Sequence, residues 1–252
     1  PGIRYYRQAN QGPAVARNLG ASLALGEFIA FCDHDDIWND RHLETLLRVF
    51  SEYPATALVF DNALHCSADN ADAVPHVMPS RRNELARGPV PIKKIWQCSV
   101  ASMSVVMVRK NIFDGLAGLH PKIWGLDDLH FYLRLVSLYP VRFVDYVGCR
   151  KRSTGRNLLP VVGLDGLVKC LEDIRAHHPE VVRAVGRLRY RLRLARKYRK
   201  LARRCSNQNQ QSAACQYYWK AYRLNILNIP ILKQFWLSSR IGATQLDGAR
   251  VR

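Results

Sequence analysis

The chain has 252 residues, 48% of them hydrophobic and 23% charged, which supports one α/β domain with an appendage, or two small domains, and excludes a chain disordered by composition. Its 38 Lys+Arg against 20 Asp+Glu leave a formal charge of +18, so nucleic acid, anionic lipid and phosphorylated ligands are the physical candidates for a partner. The longest apolar runs are broken by Arg, Lys, Gln or Pro and no signal peptide is visible, so the protein is expected not to span a bilayer; seven scattered cysteines without CxxC pairs fit buried thiols in a reducing cytosol.

In chain order, Ile3 to Tyr6 alternates as a short strand and "QANQGP" follows as a turn. "AVARNLGASLAL" predicts a helix with Val15, Ala16, Leu19 and Leu23 on one face and Gly26 as its C-cap. "EFIAFC" is a near-continuous apolar strand of the kind buried in a parallel sheet, and the acidic stretch "DHDDIWND" comes directly after it. "RHLETLLRVFSEY" reads as an amphipathic helix with Leu43, Leu46, Leu47 and Phe50 inward, and "ATALVFDNAL" as the next strand.

Residues Cys66 to Lys94 are polar and rich in Pro and Arg, which predicts a long loop or flap. Met103 to Val108 reads as a strand and a short helix begins near Lys110. "HPKIWGLDD" is a loop, "LHFYLRLVSL" a helix with Leu129, Tyr132, Leu133 and Val136 on one side, and "VRFVDYVGCRKR" a strand entering a basic loop. From Leu164 onward the pattern is helical throughout, so a boundary is expected between Asn157 and Gly163. The alternation of strands and helices through about residue 150 predicts a Rossmann-like, mostly parallel sheet with flanking helices.

The acids concentrate where open α/β sheets bind their ligands, at the C-terminal end of a strand. On a strand, Asp33 and Asp35 would share one side and His34 the other. Two such carboxylates suit a hard divalent cation, and magnesium commonly takes one or two carboxylates together with substrate phosphates. The alternative is an N-cap, with Asp36 or Asp40 starting the following helix. A second acidic pair, Asp127-Asp128, begins the later helix, where the dipole favours ionised carboxylates and one could act as a general base; helix capping is the competing reading there too.

The stretch "NQGPAVARNLGASLALGEFIAFCDHDDIW" resembles glycosyltransferase family 2, whose members carry N-x-G-x-x-x-A-R-N-x-G, then G-E-[YF]-[IL], then D-x-D-D-x-[WY]. Asn10, Gly12, Ala16, Arg17, Asn18, Gly20, Gly26, Glu27, Asp33, Asp35, Asp36 and Trp38 fall in register. The resemblance implies a GT-A fold and transfer of a sugar from a nucleotide-diphosphate donor with inversion. It implies donor contacts from Gly12, Arg17, Asn18, Asp33 and Asp35, with Asp35 and Asp33 at an Mg2+ or Mn2+ ion. "WGLDDLHFYLRL" matches the family's Gly-containing loop, Glu-Asp pair and helix, with Asp127 in place of the commoner Glu; the base carried over is Asp128. Trp124, Asp127 and Arg152 are then acceptor-side or supporting residues.

The resemblance spans residues 1 to 157, taken as the later part of a catalytic domain. The chain begins Pro1-Gly2 without a methionine, inside a strand-like run, so an N-terminal segment carrying the nucleotide-base contacts is expected to be missing. Residues 164 to 252 form a basic α-helical tail. Its run from Val181 to Arg204 holds no acid, and Leu188, Leu192, Ala195, Leu201 and Ala202 could make an apolar seam. "AACQYYWKAYRLNILNIPILKQFW" reads as the second arm of a helical hairpin.

These features point to an enzyme of cell-surface polysaccharide synthesis with a saccharide or lipid-linked acceptor. It would be cytoplasmic, peripheral at the inner face of the plasma membrane through its tail. The alternatives are a non-catalytic basic protein that binds membrane or nucleic acid, and a metal-dependent nucleotidyl- or phosphotransferase. No nucleic-acid motif is present, and the basic run has no interleaved aromatics apart from Tyr190 and Tyr198.

Overall fold

The computed structural model describes residues 2–66, 73–97, 101–152, 159–226 and 234. The chain divides into two units, Pro1–Val161 and Val162–Arg252. In the first, α1 (Pro13–Leu23), β1 (Phe28–Ala30), β2 (Asp36–Trp38), α2 (His42–Glu52), β3 (Leu58–Cys66), β4 (Ala73–Pro75), α3 (Pro79–Ala86) and α4 (Ile92–Gln97) precede β5 (Val106–Arg109), α5 (Lys110–Gly115), α6 (Asp127–Leu138) and β6 (Val141–Arg152).

The strands lie in the order β1-β5-β3-β6-β2, and β4 pairs with the end of β3. The expectation of a mostly parallel sheet is corrected here, because among the described strands only β3 and β6 pair in parallel. β1, β3 and β6 do run the same way. β5 enters between β1 and β3 antiparallel to both, and β2 folds back antiparallel on β6. Hydrophobic runs reveal strands but not the order in which they pair.

The core forms where β3 and β5 meet α2. Val59 and Leu46 are fully buried, packed with Phe50, Val49 and Met107. Burying a side chain such as Leu46 or Phe50 stabilises the fold by about 1.5–3 kcal/mol. The inward stripe of α2 is His42, Thr45, Leu46, Val49 and Phe50, the i, i+3, i+4, i+7, i+8 pattern of one helical face. Leu43 and Leu47, expected inside, are 39% and 41% exposed. The face is rotated because His42 turns in to meet Asp61 on β3, Nδ1 to Oδ2 at 2.7 Å.

α1 departs from expectation in the same way. Its buried residues are Ala14 and Ala21, and Arg17 and Asn18 on the same i, i+3, i+4, i+7 face are half-buried, as are Val15, Leu19 and Leu23, while Ala16 is exposed. The polar stripe faces inward because it serves the site described below. The helix closes at Leu23 with Ala24 as C-cap, so Gly26 is not the cap. Ile3 to Tyr6 pairs with no strand among the described residues; Ile3 and Tyr5 stand in solvent, and Arg4 Nη2 reaches the Leu23 carbonyl at 2.9 Å. The predicted loop Cys66 to Lys94 contains β4, α3 and the start of α4, with residues 67–72 outside the described set.

α7 (Leu159–His177) begins just before the second unit and is broken by a non-helical Gly163, and α8 (Pro179–Val185), α9 (Arg187–Asn207) and α10 (Gln211–Leu224) follow within that unit. The buried side of α9 is Tyr190, Leu194, Ala195, Tyr198, Leu201, Ala202 and Cys205. Leu188 lies outside this seam at 68% exposure. No helix among the described residues is long and apolar enough to cross a membrane. The predicted second arm of the hairpin runs on past residue 226, where it lies mostly outside the described residues.

Candidate active site

β1 ends at Ala30, and the acids occupy the turn that leads to β2 rather than a continuing strand. The Asp36 N–H donates to the Asp33 carbonyl at 3.0 Å, and the Asp33 N–H donates to Ser104 Oγ at 3.0 Å. Trp38 Nε1 donates to the Ser104 carbonyl at 2.7 Å, so Ser104 braces the turn at two points. β2 pairs antiparallel with β6 in a register that sets Asp36 opposite Lys151. Lys151 Nζ therefore lies 2.6 Å from Asp36 Oδ2 and 4.0 Å from Asp33 Oδ2. Arg152 Nε donates to the Asp35 main-chain carbonyl at 2.7 Å, so it holds the turn through the backbone.

The three acids are thus unequal. Asp36 is buried against Lys151, and Asp33 sits between Arg17 and Lys151. Asp35 is different. Among the described residues its carboxylate has one ionisable side chain within ion-pair range, the exposed His34, at 4.0 Å. Asp35, seconded by Asp33, offers hard oxygen ligands to a divalent cation.

The polar stripe of α1 joins this turn to α6. Arg17 Nη2 lies 2.6 Å from Asp33 Oδ1, and Nη1 lies 3.1 Å from Asp127 Oδ2. Burial lowers the proton affinity of the guanidinium, but the charges of Asp33 and Asp127 overcome this and hold it above its ordinary value. Burial raises the Asp127 carboxyl, with Arg17 opposing. Asp128 lies beside it with Oδ1 accepting the Leu129 N–H at 2.6 Å. Burial, reinforced by the charge of Asp127, pushes Asp128 up to about 7. A carboxylate poised near neutrality has the proton affinity a general base needs.

Neither acidic pair is a cap. The N-cap of α6 is Leu126 and that of α2 is Arg41, both without a side-chain capping bond, which removes the capping alternatives for Asp127, Asp128, Asp36 and Asp40. Asp127 and Asp128 sit within the first turn of α6, where the helix N-terminus favours their ionised forms.

The remaining predicted residues take distinct positions. Gly12, at φ 89°, lies under the indole of Trp124, and a Cβ there would stand 2.6 Å from Trp124 Nε1. Trp124 itself is half exposed. Both atoms of the Asn18 amide are engaged by Leu119, donating to its carbonyl at 2.8 Å and accepting its N–H at 2.9 Å, so Asn18 ties α1 to the segment before α6. Arg134 does not reach the acidic pair; it donates to the Leu116 and Gly118 carbonyls at 2.6 and 2.5 Å, stabilising the same segment. Arg150 to Arg152 belong to β6 rather than to a basic loop.

Sequence reasoning missed Ser104 and the His42–Asp61 pair, and singled out Arg152 where Lys151 reaches the acids. Only the register of β2 on β6 distinguishes Lys151 from its basic neighbours. No local signal marks Ser104, which is 71 residues from Asp33 in the chain.

The mixed sheet with its flanking helices has the GT-A fold, and solved structures share it. The structure of Staphylococcus aureus TarS 1-349 is similar with a TM-score of 0.56 at 15% identity, over 95% of this chain and 73% of that one. The mannosyltransferase PcManGT from Pyrobaculum calidifontis, solved with GDP-Man and Mn2+, is similar with a TM-score of 0.50 at 15% identity, over 94% and 66% of the two chains.

Residues 1–116 match the family described as Glycosyl transferase family 2, so this part of the chain is similar to that family. An uncharacterized glycosyltransferase of Haemophilus influenzae is 25% identical over 130 residues, 52% of this chain and 42% of the relative. One of Rickettsia conorii is 30% identical over 115 residues, 44% of this chain and 18% of the relative. The chain thus aligns with less than half the length of these curated relatives.

Proposed function

We propose that this protein transfers a sugar from a nucleotide-diphosphate donor to a saccharide or lipid-linked acceptor, with inversion, in the synthesis of a cell-surface polysaccharide. The observation that carries the reading is Arg17, which links the acidic turn at Asp33 to Asp127 and so brings Asp128 and the Asp35 turn into one site. Asp128 takes the proton of an acceptor hydroxyl as that oxygen attacks the anomeric carbon and the nucleoside diphosphate leaves with the bonding electrons. Its proton affinity near neutrality suits the step. Arg17 and Asp127 position it.

Asp35, with Asp33, fits Mg2+ or Mn2+, because the Asp35 carboxylate is the least compensated of the cluster. Such an ion neutralises charge on a departing diphosphate. That PcManGT was solved with GDP-Man and Mn2+ supports a donor and a metal of these classes. In the helical unit, Arg187, Arg189, Arg191, Arg196, Lys200 and Arg203 are exposed on α9, which supports a cytoplasmic protein held peripherally at an anionic membrane surface.

Isothermal titration of UDP and GDP with and without Mn2+, on this chain and on Asp35→Ala, tests the reading. Metal-dependent binding that vanishes in Asp35→Ala is expected. Equal binding by both proteins would sink the assignment of the acidic turn and favour a non-catalytic basic protein.

A further inference from the structure

Outside the acidic site, the second unit holds a cavity of about 540 Å³ among α7, α9 and α10. Its lining includes Arg175 from α7, Tyr198 from α9, and Lys220 and Arg223 from α10, against one carboxylate, Glu172. Glu172 is spoken for. It accepts the Tyr198 hydroxyl and pairs with Lys220 Nζ at 3.3 Å, and Lys220 in turn lies 5.4 Å from the centre of the Tyr198 ring. Arg175 and Arg223 make no ion pair with a carboxylate among the described residues. Three cations therefore surround one concavity with one acid to balance them.

We infer that this cavity binds a phosphate ester, at a site separate from the acidic turn. Both charge and shape favour an anionic ligand there. Like charges around a shared concavity repel one another, and an anion placed between them relieves the repulsion. Two guanidiniums supply planar pairs of N–H donors that match phosphate oxygens, which a lone ammonium does not. The volume suits a sugar phosphate or a lipid headgroup rather than a bare ion. Tyr198, tied down by Glu172 and Lys220, gives the cavity a fixed wall.

Binding is tested on the full chain in EDTA, where the acidic turn, holding no metal, repels phosphate. The probes are inorganic phosphate, glucose 6-phosphate, and vesicles of phosphatidic acid against phosphatidylcholine. The double variant Arg175→Gln/Arg223→Gln is compared with Arg189→Gln/Arg191→Gln, which removes the same charge from the exposed face of α9. The cavity variant is expected to weaken glucose 6-phosphate binding by about tenfold or more, and the control by about twofold at most. All four side chains are exposed, so both variants should melt with the wild type by circular dichroism.

Selective loss for the soluble ester identifies a free sugar phosphate as the ligand class. Selective loss confined to phosphatidic acid vesicles identifies a lipid headgroup. Equal losses in the two variants would reduce the effect to diffuse charge and overturn the site. So would a wild type that binds no phosphate probe at about 10 mM.

Discussion

Arg17 and Asp127 meet at 3.1 Å although 110 residues separate them in the chain, and the same guanidinium holds Asp33 at 2.6 Å with its other nitrogen. Lysine keeps the charge but presents a single ammonium in place of this fork. Arg17→Lys should therefore lose one of the two contacts and lower stability by about 1–3 kcal/mol, read from the urea midpoint at unchanged slope. An unshifted midpoint would mean that the bridge contributes nothing to the fold.

Asp128 is held at about 7, well above the ordinary carboxylate value of about 3.9. Sugar transfer should rise with pH through about 7 as the base ionises. Asp128→Asn should cut kcat by about 10²–10⁴-fold while donor affinity is kept. Stability runs the other way. Between the ordinary carboxylate range and about 7 the native state keeps a proton that the unfolded chain has released, so this group's contribution falls as pH rises across that window. Melting temperatures from pH 4 to 8 should decline less in Asp128→Asn than in the wild type.

Because Arg17 and Lys151 already compensate Asp33 and Asp36, a divalent cation alone meets one poorly balanced carboxylate, Asp35. Mn2+ should bind weakly by itself and more tightly with a nucleoside diphosphate, which brings its own oxygens. Lys151→Gln should strengthen Mn2+ binding in the absence of nucleotide. Calorimetry that gives the same Mn2+ affinity for both proteins would contradict this division of charge.

Gly12 is constrained twice, by its φ of 89° and by Trp124 Nε1 at 2.6 Å from where a Cβ would stand. Gly12→Ala should destabilise the protein through both effects. In a Trp124→Ala background the steric part disappears, and the cost should fall to the backbone part of about 1–3 kcal/mol. A double-mutant cycle in urea measures the difference.

His42 and Asp61 form a buried pair at 2.7 Å, and burial pushes Asp61 up to about 6 despite the hydrogen bond from His42. Removing one partner strands the other. His42→Ala should cost about 3 kcal/mol of unfolding free energy. A loss below about 1 kcal/mol would show that the pair is dispensable.

Local patterns carried much of this molecule. The apolar run before Cys32, the helix that begins at Asp127 and the strand from Val141 follow from periodicity, because alternation and 3.6-residue spacing are properties of neighbouring residues. The acidic turn stood out by its clustering in a basic chain, while the roles given to it and to the Asp127-Asp128 pair came from the resemblance of the surrounding motifs. By itself, then, the sequence determined many of the elements and the helical character of the tail, but not β4, α3 and the start of α4, which lie in the stretch it read as a loop, nor the lack of a strand at Ile3 to Tyr6.

Tertiary structure decided which face of each helix turns inward and which cation meets which acid. β5 slipped between β1 and β3 and made the sheet mostly antiparallel, because strand order depends on contacts between residues far apart in the chain. The inward face of α2 is set by Asp61 on β3, which draws His42 in, and Arg17 of α1 is aimed by Asp33 in the turn after β1. Lys151 was chosen over Arg150 and Arg152 by register alone, since a one-residue slip along β6 would present a different side chain to Asp36.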